Sequence, residues 1–156
     1  MNNKGDFMKL STRIASTLAL TAVASSAAVA DTFQAAVTVL DTLAIAENTA
    51  VDFGTVTSTD GTCIMATGGA LSGTNGCTGT ATPGAFTITG SDVTVDLTVT
   101  AGAAVDGVTF APAIDGSSSP TLSGGTTSVA VIGQLTLASA TAGAKSIDFD
   151  LTANYQ

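Results

Sequence analysis

Carboxylates are the only side chains in this sequence that are numerous enough to suggest acid–base chemistry. Asp148 and Asp150 stand two residues apart, a spacing that puts them on one face of an extended strand, and Asp92 and Asp96 share a face in the same way. Carboxylate pairs cleave glycosidic bonds, and carboxylates combined with loop carbonyls bind Ca²⁺. All four positions, however, are those at which a half-buried sheet turns polar residues to solvent.

Other catalytic groups are scarce. The chain has no His and no Trp, so a Ser or Thr nucleophile would lack an imidazole base, and a sugar site would lack its usual aromatic platform. The D-x-[DN]-x-[DN]-G calcium loop is absent as well. We therefore predict that the protein is not an enzyme and that it binds no metal or cofactor. A carboxylate-dependent hydrolase is the weakest of three functional hypotheses.

Cys63 and Cys77 are the only cysteines. In an exported protein an isolated pair predicts a disulfide, which would stabilise the fold by about 3 kcal/mol on chain-entropy grounds. A metal site is the alternative, but no histidine is present to complete it.

The first 30 residues have the pattern of a secretory signal peptide. Lys9 and Arg13 precede an apolar stretch over residues 14–23, and Ala28-Val29-Ala30 fits an A-x-A cleavage site. The apolar stretch is too short to span a membrane, and no later run reaches the roughly 20 apolar residues that a span needs. We expect an exported chain with no membrane span after cleavage, either soluble or assembled at the surface.

Cleavage would change the charge of the chain sharply. Three of the four basic residues and one of the twelve acids would leave, so that Lys145 alone would face eleven acids, a net charge of −10. A surface with one cation cannot neutralise phosphates. We expect no nucleic-acid partner and no anionic membrane surface as a partner.

The remaining residues, about 126 of them, are rich in Thr, Val, Ala and Gly, a composition that favours strands. Residues 58–84 contain both cysteines and predict a long loop or loose hairpin that the disulfide holds. Period-2 alternation predicts strands around 33–39, 43–45, 51–55, 86–88, 93–99, 105–110, 129–137 and 147–155. Short strands with glycine-rich turns favour an all-β fold, an immunoglobulin-like antiparallel β-sandwich over residues 41–156.

The last strand carries a resemblance to a known family. Its apolar face consists of Ile147, Phe149, Leu151, Ala153 and Tyr155, with tyrosine as the penultimate residue. Gly143 is the fourteenth residue from the end. In these features the chain resembles the pilin subunits of chaperone–usher fimbriae.

The resemblance implies an incomplete sandwich that lacks its last strand and is completed by a donor strand from a neighbouring subunit. Residues 31–40 would be that donor, or else a first strand of the chain's own sheet, with Phe33, Ala35, Val37 and Val39 as alternating plugs. The implied partners are identical or related subunits, a periplasmic chaperone and an outer-membrane usher. The implied function is that of a structural subunit of a fimbria or pilus.

A second stretch resembles another family. Val51-Asp52-Phe53-Gly54 is similar to an uncharacterised family of secreted bacterial β-domains with a D-F-G element, a resemblance that implies no activity. The alternative function is a monomeric secreted β-sandwich that acts as a binding module or adhesin domain, recognising carbohydrate or host protein through its loops. Residues 31–40 would then be an ordinary strand.

Overall fold

The computed structural model describes residues 32–74 and 76–156, so the predicted signal peptide, residues 1–30, lies outside the described residues. Thr38–Gln156 form one compact unit, and residues 32–37 belong to a second. The described residues form ten strands and a single 3-10 turn, Thr67–Gly69. The strands are β1 (Ala44–Thr49), β2 (Thr55–Val56), β3 (Gly61–Met65), β4 (Leu71–Gly73), β5 (Cys77–Thr78), β6 (Gly84–Thr89), β7 (Val95–Ala101), β8 (Val108–Asp115), β9 (Thr126–Leu137) and β10 (Phe149–Tyr155).

The long strand β9 organises the larger sheet. Its first half pairs with β6 and its second half with β3, both along one edge, while β8 pairs along the other edge. Strands β1 and β4 extend this sheet at either end, and all of its pairs are antiparallel. Gly133 lies where β9 changes partners. Its φ of +151° is a backbone conformation that favours glycine, and the nearby Ala111 carbonyl oxygen occupies the space that a side chain would need.

A second, antiparallel sheet consists of β7 and β10, and the short strands β2 and β5 form a third pair. Buried apolar residues fill the fold in two clusters, and alternate residues of β9 contribute to both of them. The prediction of an all-β, antiparallel sandwich is thus confirmed. Within the described residues, none of the helical structure is long and apolar enough to cross a membrane.

Residues 58–84 were predicted to form a long loop or a loose hairpin, and β3 and β4 form an antiparallel hairpin within them. This hairpin is more ordered than predicted, because β3 buries Cys63 and Met65 completely or nearly so. One strand boundary was predicted wrongly. The strand predicted to stop before Pro112 continues through it to Asp115. Strand β8 can include a proline because, among the described strands, it pairs only with β9 and has a free edge where a missing N–H costs no ladder bond.

Alternation over residues 33–39 predicted either a donor strand for a neighbouring subunit or a first strand of the chain's own sheet. The structure assigns no strand to residues 32–43, and the chain's own sheet begins with β1 at Ala44. A strand is defined by its hydrogen-bonded neighbour, and no described strand of this chain pairs with these residues.

Candidate functional site

The last strand, β10, forms the edge of its sheet. Among the described residues its hydrogen-bonded neighbour is β7, in a register that pairs Phe149 with Ala101 and Tyr155 with Val95. Its apolar side chains are half-buried and alternate with exposed Asp150, Thr152 and Asn154. One row of backbone N–H and C=O groups of β10 therefore faces outward without a strand beside it.

An apolar groove of about 1050 Å³ opens beside this edge. Three aromatic rings meet at its wall, since the ring centroid of Phe149 lies 5.5 Å from that of Phe110 and 6.1 Å from that of Phe86, both edge-to-face. Leu151 and Ile45 line the groove further along. Such a row of partly buried apolar groups along an open strand edge is suited to receiving an additional strand.

Several polar groups of the groove have hydrogen-bond partners. Lys145 Nζ lies 2.8 Å from Asp106 Oδ2 and 2.9 Å from Thr141 Oγ1. Asp52 Oδ1 accepts a hydrogen bond from the Gly54 amide at 2.8 Å. Glu47 also lines the groove, opposite Phe86 in the β1–β6 register, and its side chain is exposed.

Gly143, which the sequence singled out, lies at the rim of the groove. Its φ of +127° is a backbone conformation that favours glycine, and no atom lies close to where its side chain would be. Ile147 packs against the first core cluster together with Phe149 and Leu151. Of the predicted C-terminal residues, Gly143, Ile147, Phe149 and Leu151 therefore line the groove, whereas Ala153 and Tyr155 do not.

The C-terminal end of β10 does not line the groove. Ala153 and Tyr155 pack with Leu43 against the second core cluster. The Tyr155 hydroxyl accepts a hydrogen bond from the Ser91 amide at 2.7 Å and donates one to the Asp41 carbonyl at 2.7 Å. The Asp41 amide donates to Ser91 Oγ, also at 2.7 Å, so that three residues form a closed ring of hydrogen bonds.

The predicted donor residues lie on the surface. The exposed fraction is 87% for Phe33, 84% for Val37 and 85% for Val39, and Ala35 is exposed as well. Three large apolar side chains within seven residues are thus left in water, although such side chains are normally buried. This segment is the most apolar exposed part of the described chain.

Cys63 and Cys77 form the predicted disulfide, which links β3 to β5. Its Cα atoms are 5.8 Å apart. The prediction from the isolated pair is confirmed.

The carboxylates are spread over separate surroundings. Asp92 Oδ2 accepts a hydrogen bond from the Gly124 amide, whereas Asp96 Oδ1 accepts from Ser119 Oγ and Gln156 Nε2. The hydrogen bond from Ser119 has the larger effect and that from Gln156 the smaller, and together they hold the pKa of Asp96 below its ordinary value. Within residues 32–74 and 76–156, no group of three or more His, Cys, Asp or Glu side chains could hold a metal ion.

Sequence reasoning missed the residues that attach the C-terminal end of β10 to the rest of the domain. Leu43 stood out only as one member of an apolar alternation with Ile45. The hydrogen bonds of Asp41 and Ser91 with Tyr155 have no local sequence signal, because they join distant parts of the chain.

Comparison with protein-family models, with curated proteins and with solved structures finds no match.

Proposed function

We propose that this protein is a structural subunit of a surface fimbria and that it polymerises by donor-strand complementation. The observation that carries the proposal is the apolar groove beside the unpaired edge of β10, present in a chain whose N-terminal residues expose alternating apolar side chains. Residues 31–40 of one copy would fill the groove of the next.

The proposal accounts for two features that are unfavourable in an isolated molecule. An unpaired, half-apolar strand edge promotes aggregation unless something covers it, and exposed Phe33, Val37 and Val39 contact water at a cost. A strand added in the groove would pair the backbone of β10 and bury both sets of side chains at once. Because donor and groove are different surfaces, the contact would be heterologous and would generate a filament.

The remaining parts of the proposal follow from the same groove. Before a neighbour arrives, the groove needs a temporary cover, for which a periplasmic chaperone is the proposed partner, with an outer-membrane usher for assembly. The proposed route is export with the signal peptide, transit through the periplasm and incorporation at the cell surface.

A charge substitution at one plug tests the proposal. Val37→Asp should abolish SDS-resistant ladders of the full-length mature protein, because burying an unpaired carboxylate costs several kcal/mol. Thr38→Asp is the matched control: it adds the same charge at the next residue, which would face away from the groove in an inserted strand, and should still give ladders.

If the wild-type protein is a stable monomer that never forms ladders or fibres, the proposal fails. The alternative of a monomeric binding module or adhesin domain would then replace it. Equal loss of ladders in Val37→Asp and Thr38→Asp would also contradict an alternating set of plugs.

A further inference from the structure

The segment between β9 and β10 forms one wall of the groove. All of its residues from Ala140 to Asp148, here called the strap, line the groove, and most of them are exposed to solvent. We infer that the strap is a gate, held shut by the ion pair between Lys145 and Asp106, and that release of this latch exposes the apolar wall. The inference does not rest on the proposed function, because the strap lines the groove of a single copy.

Backbone hydrogen bonds attach the strap at its two ends. The Thr141 amide donates to the Asp106 carbonyl at 3.4 Å, and the Asp148 carbonyl accepts from the Gly102 amide at 3.1 Å. Between these two points, within the described residues, Lys145 makes the only hydrogen bonds. A segment with so few backbone hydrogen bonds opens at a lower free-energy cost than the paired strands around it.

Lys145 lies on the inward-facing side of the strap. Side chains at every second position from Lys145 to Tyr155 are half-buried, whereas those between them are exposed. The Lys145 ammonium reaches 2.8 Å from Asp106 Oδ2, on the turn between β7 and β8, and the side chain is only 16% exposed. Lys145 therefore ties the middle of the strap to a different part of the domain.

Three features make this attachment releasable. Lys145 is the only Lys or Arg among the described residues, so no second cation can replace it. The Asp106 side chain is 60% exposed, and an ion pair with an exposed partner is weak and is screened by salt. Gly143, within the strap, has a φ of +127° and no atom within 4 Å of where its side chain would be, so the backbone can rotate there without a clash.

Opening of the strap would change the surface that the groove presents. Ile147 belongs to the strap and packs against the first core cluster, as does Phe149 directly after it. Lifting the strap moves Ile147 into water, and the loss of its apolar burial opposes opening. The ion pair adds to that resistance. The latch thus sets how often the apolar wall is exposed.

A single introduced thiol tests the latch, because both native cysteines are in the disulfide. In the full-length mature protein with Val37→Asp, added to keep neighbouring copies out of the groove, Ile147→Cys should react slowly with a thiol reagent at low salt. Asp106→Asn should accelerate this reaction about two- to fivefold, the range expected for loss of a surface ion pair. Asparagine tolerates the φ of +47° at this position, so the substitution removes the charge without straining the turn.

Salt gives a second measurement, which a merely structural role of Asp106 would not change. At an ionic strength of about 1 M, where the Debye length is about 3 Å, the Ile147→Cys thiol should react faster by a similar factor when Asp106 is present. The rate in the Asp106→Asn protein should not respond to salt. Hydrogen exchange of the Thr141 amide, followed by NMR without any added cysteine, should show the same dependence on salt and on Asp106→Asn.

Two matched controls separate the latch from general effects. Ala153→Cys places the thiol at a half-buried position near the other end of β10, and its reaction should respond neither to salt nor to Asp106→Asn. Asp150→Asn removes one charge from the exposed face of β10 and should leave the Ile147→Cys rate unchanged.

Three results would overturn the inference. If neither Asp106→Asn nor salt changes the reaction of Ile147→Cys or the exchange of the Thr141 amide, the ion pair does not hold the strap. If the thiols at positions 147 and 153 accelerate together, the whole domain has loosened and there is no gate. If Asp150→Asn acts as strongly as Asp106→Asn, loss of charge and not loss of the ion pair is responsible.

Discussion

The Tyr155 hydroxyl lies 2.7 Å from the carbonyl oxygen of Asp41, a residue 114 positions earlier in the chain. The same hydroxyl accepts a hydrogen bond from the Ser91 amide. The penultimate residue therefore joins the end of β10, the connection between β6 and β7, and the start of the domain at one point. A tyrosine ring buried on one side with its hydroxyl hydrogen-bonded on the other suits such a junction.

Replacing Tyr155 with Phe should loosen this junction while keeping the ring packed. The substitution leaves the Ser91 amide and the Asp41 carbonyl without their partner, so the free energy of unfolding should fall by about 1–3 kcal/mol. Amide hydrogen exchange over residues 38–43 should also become faster. Thr152→Val, on the exposed face of β10, is the control. Unchanged exchange over residues 38–43 would show that the hydrogen bonds do not hold this segment.

The disulfide should be worth a moderate amount of stability. The double variant Cys63→Ala, Cys77→Ala should unfold about 3 kcal/mol more easily, because the bond closes a short loop with a sequence separation of 14. Denaturant unfolding of the oxidised and double-variant proteins measures the difference. Neither cysteine lines the groove. The double variant should therefore still form SDS-resistant ladders under conditions in which it remains folded. A double variant as stable as the wild type would contradict this prediction.

The strands with a clear period-2 pattern could be predicted from the sequence. Alternation along Val95, Leu97 and Val99 places β7 within two residues of its observed start, and alternation up to Tyr155 predicts β10 as the final strand. These patterns are reliable because one face of each strand is buried and the other is solvated, which a single sequence records directly.

Features that depend on distant contacts could not be predicted. Strand β3 is short, and its glycine and threonine residues resemble those of a turn, yet β9 and β4 pair with it on both sides and bury Cys63. The packing of Leu43 against the second core cluster likewise depends on tertiary contacts, which the sequence pattern around it does not encode. The alternation of residues 33–39 predicted a strand, but no described strand of this chain pairs with these residues.

The carboxylate of Asp96 should respond to acid in a predictable direction. Hydrogen bonds from Ser119 and Gln156 lower its pKa below the ordinary 3.8, so they stabilise the fold above that value. This contribution is lost as the pH falls through the lowered pKa and the group is protonated. Ser119→Ala should raise the pKa of Asp96 towards 3.8, as NMR titration of its carboxyl carbon would show.

Glu47 should oppose filling of the groove. Its side chain is the carboxylate of β1, and it lines the groove opposite Phe86, where an inserted strand would exclude water from it. Burying a carboxylate without a cation is unfavourable, and the donor residues 31–40 offer no Lys or Arg. Glu47→Gln should therefore strengthen association between copies by about tenfold, roughly 1.4 kcal/mol.

Asp150→Asn provides the matched control for that measurement. It removes the same single charge from the same acidic chain, but from the exposed face of β10, away from the groove. General repulsion between acidic copies would be relieved equally in both variants, so only desolvation inside the groove should separate them. The dissociation constant from sedimentation at fixed ionic strength, or the half-time of ladder formation, measures the difference. If both variants shift association by the same factor, Glu47 stays in water when copies assemble, and the donor segment does not cover the β1 side of the groove.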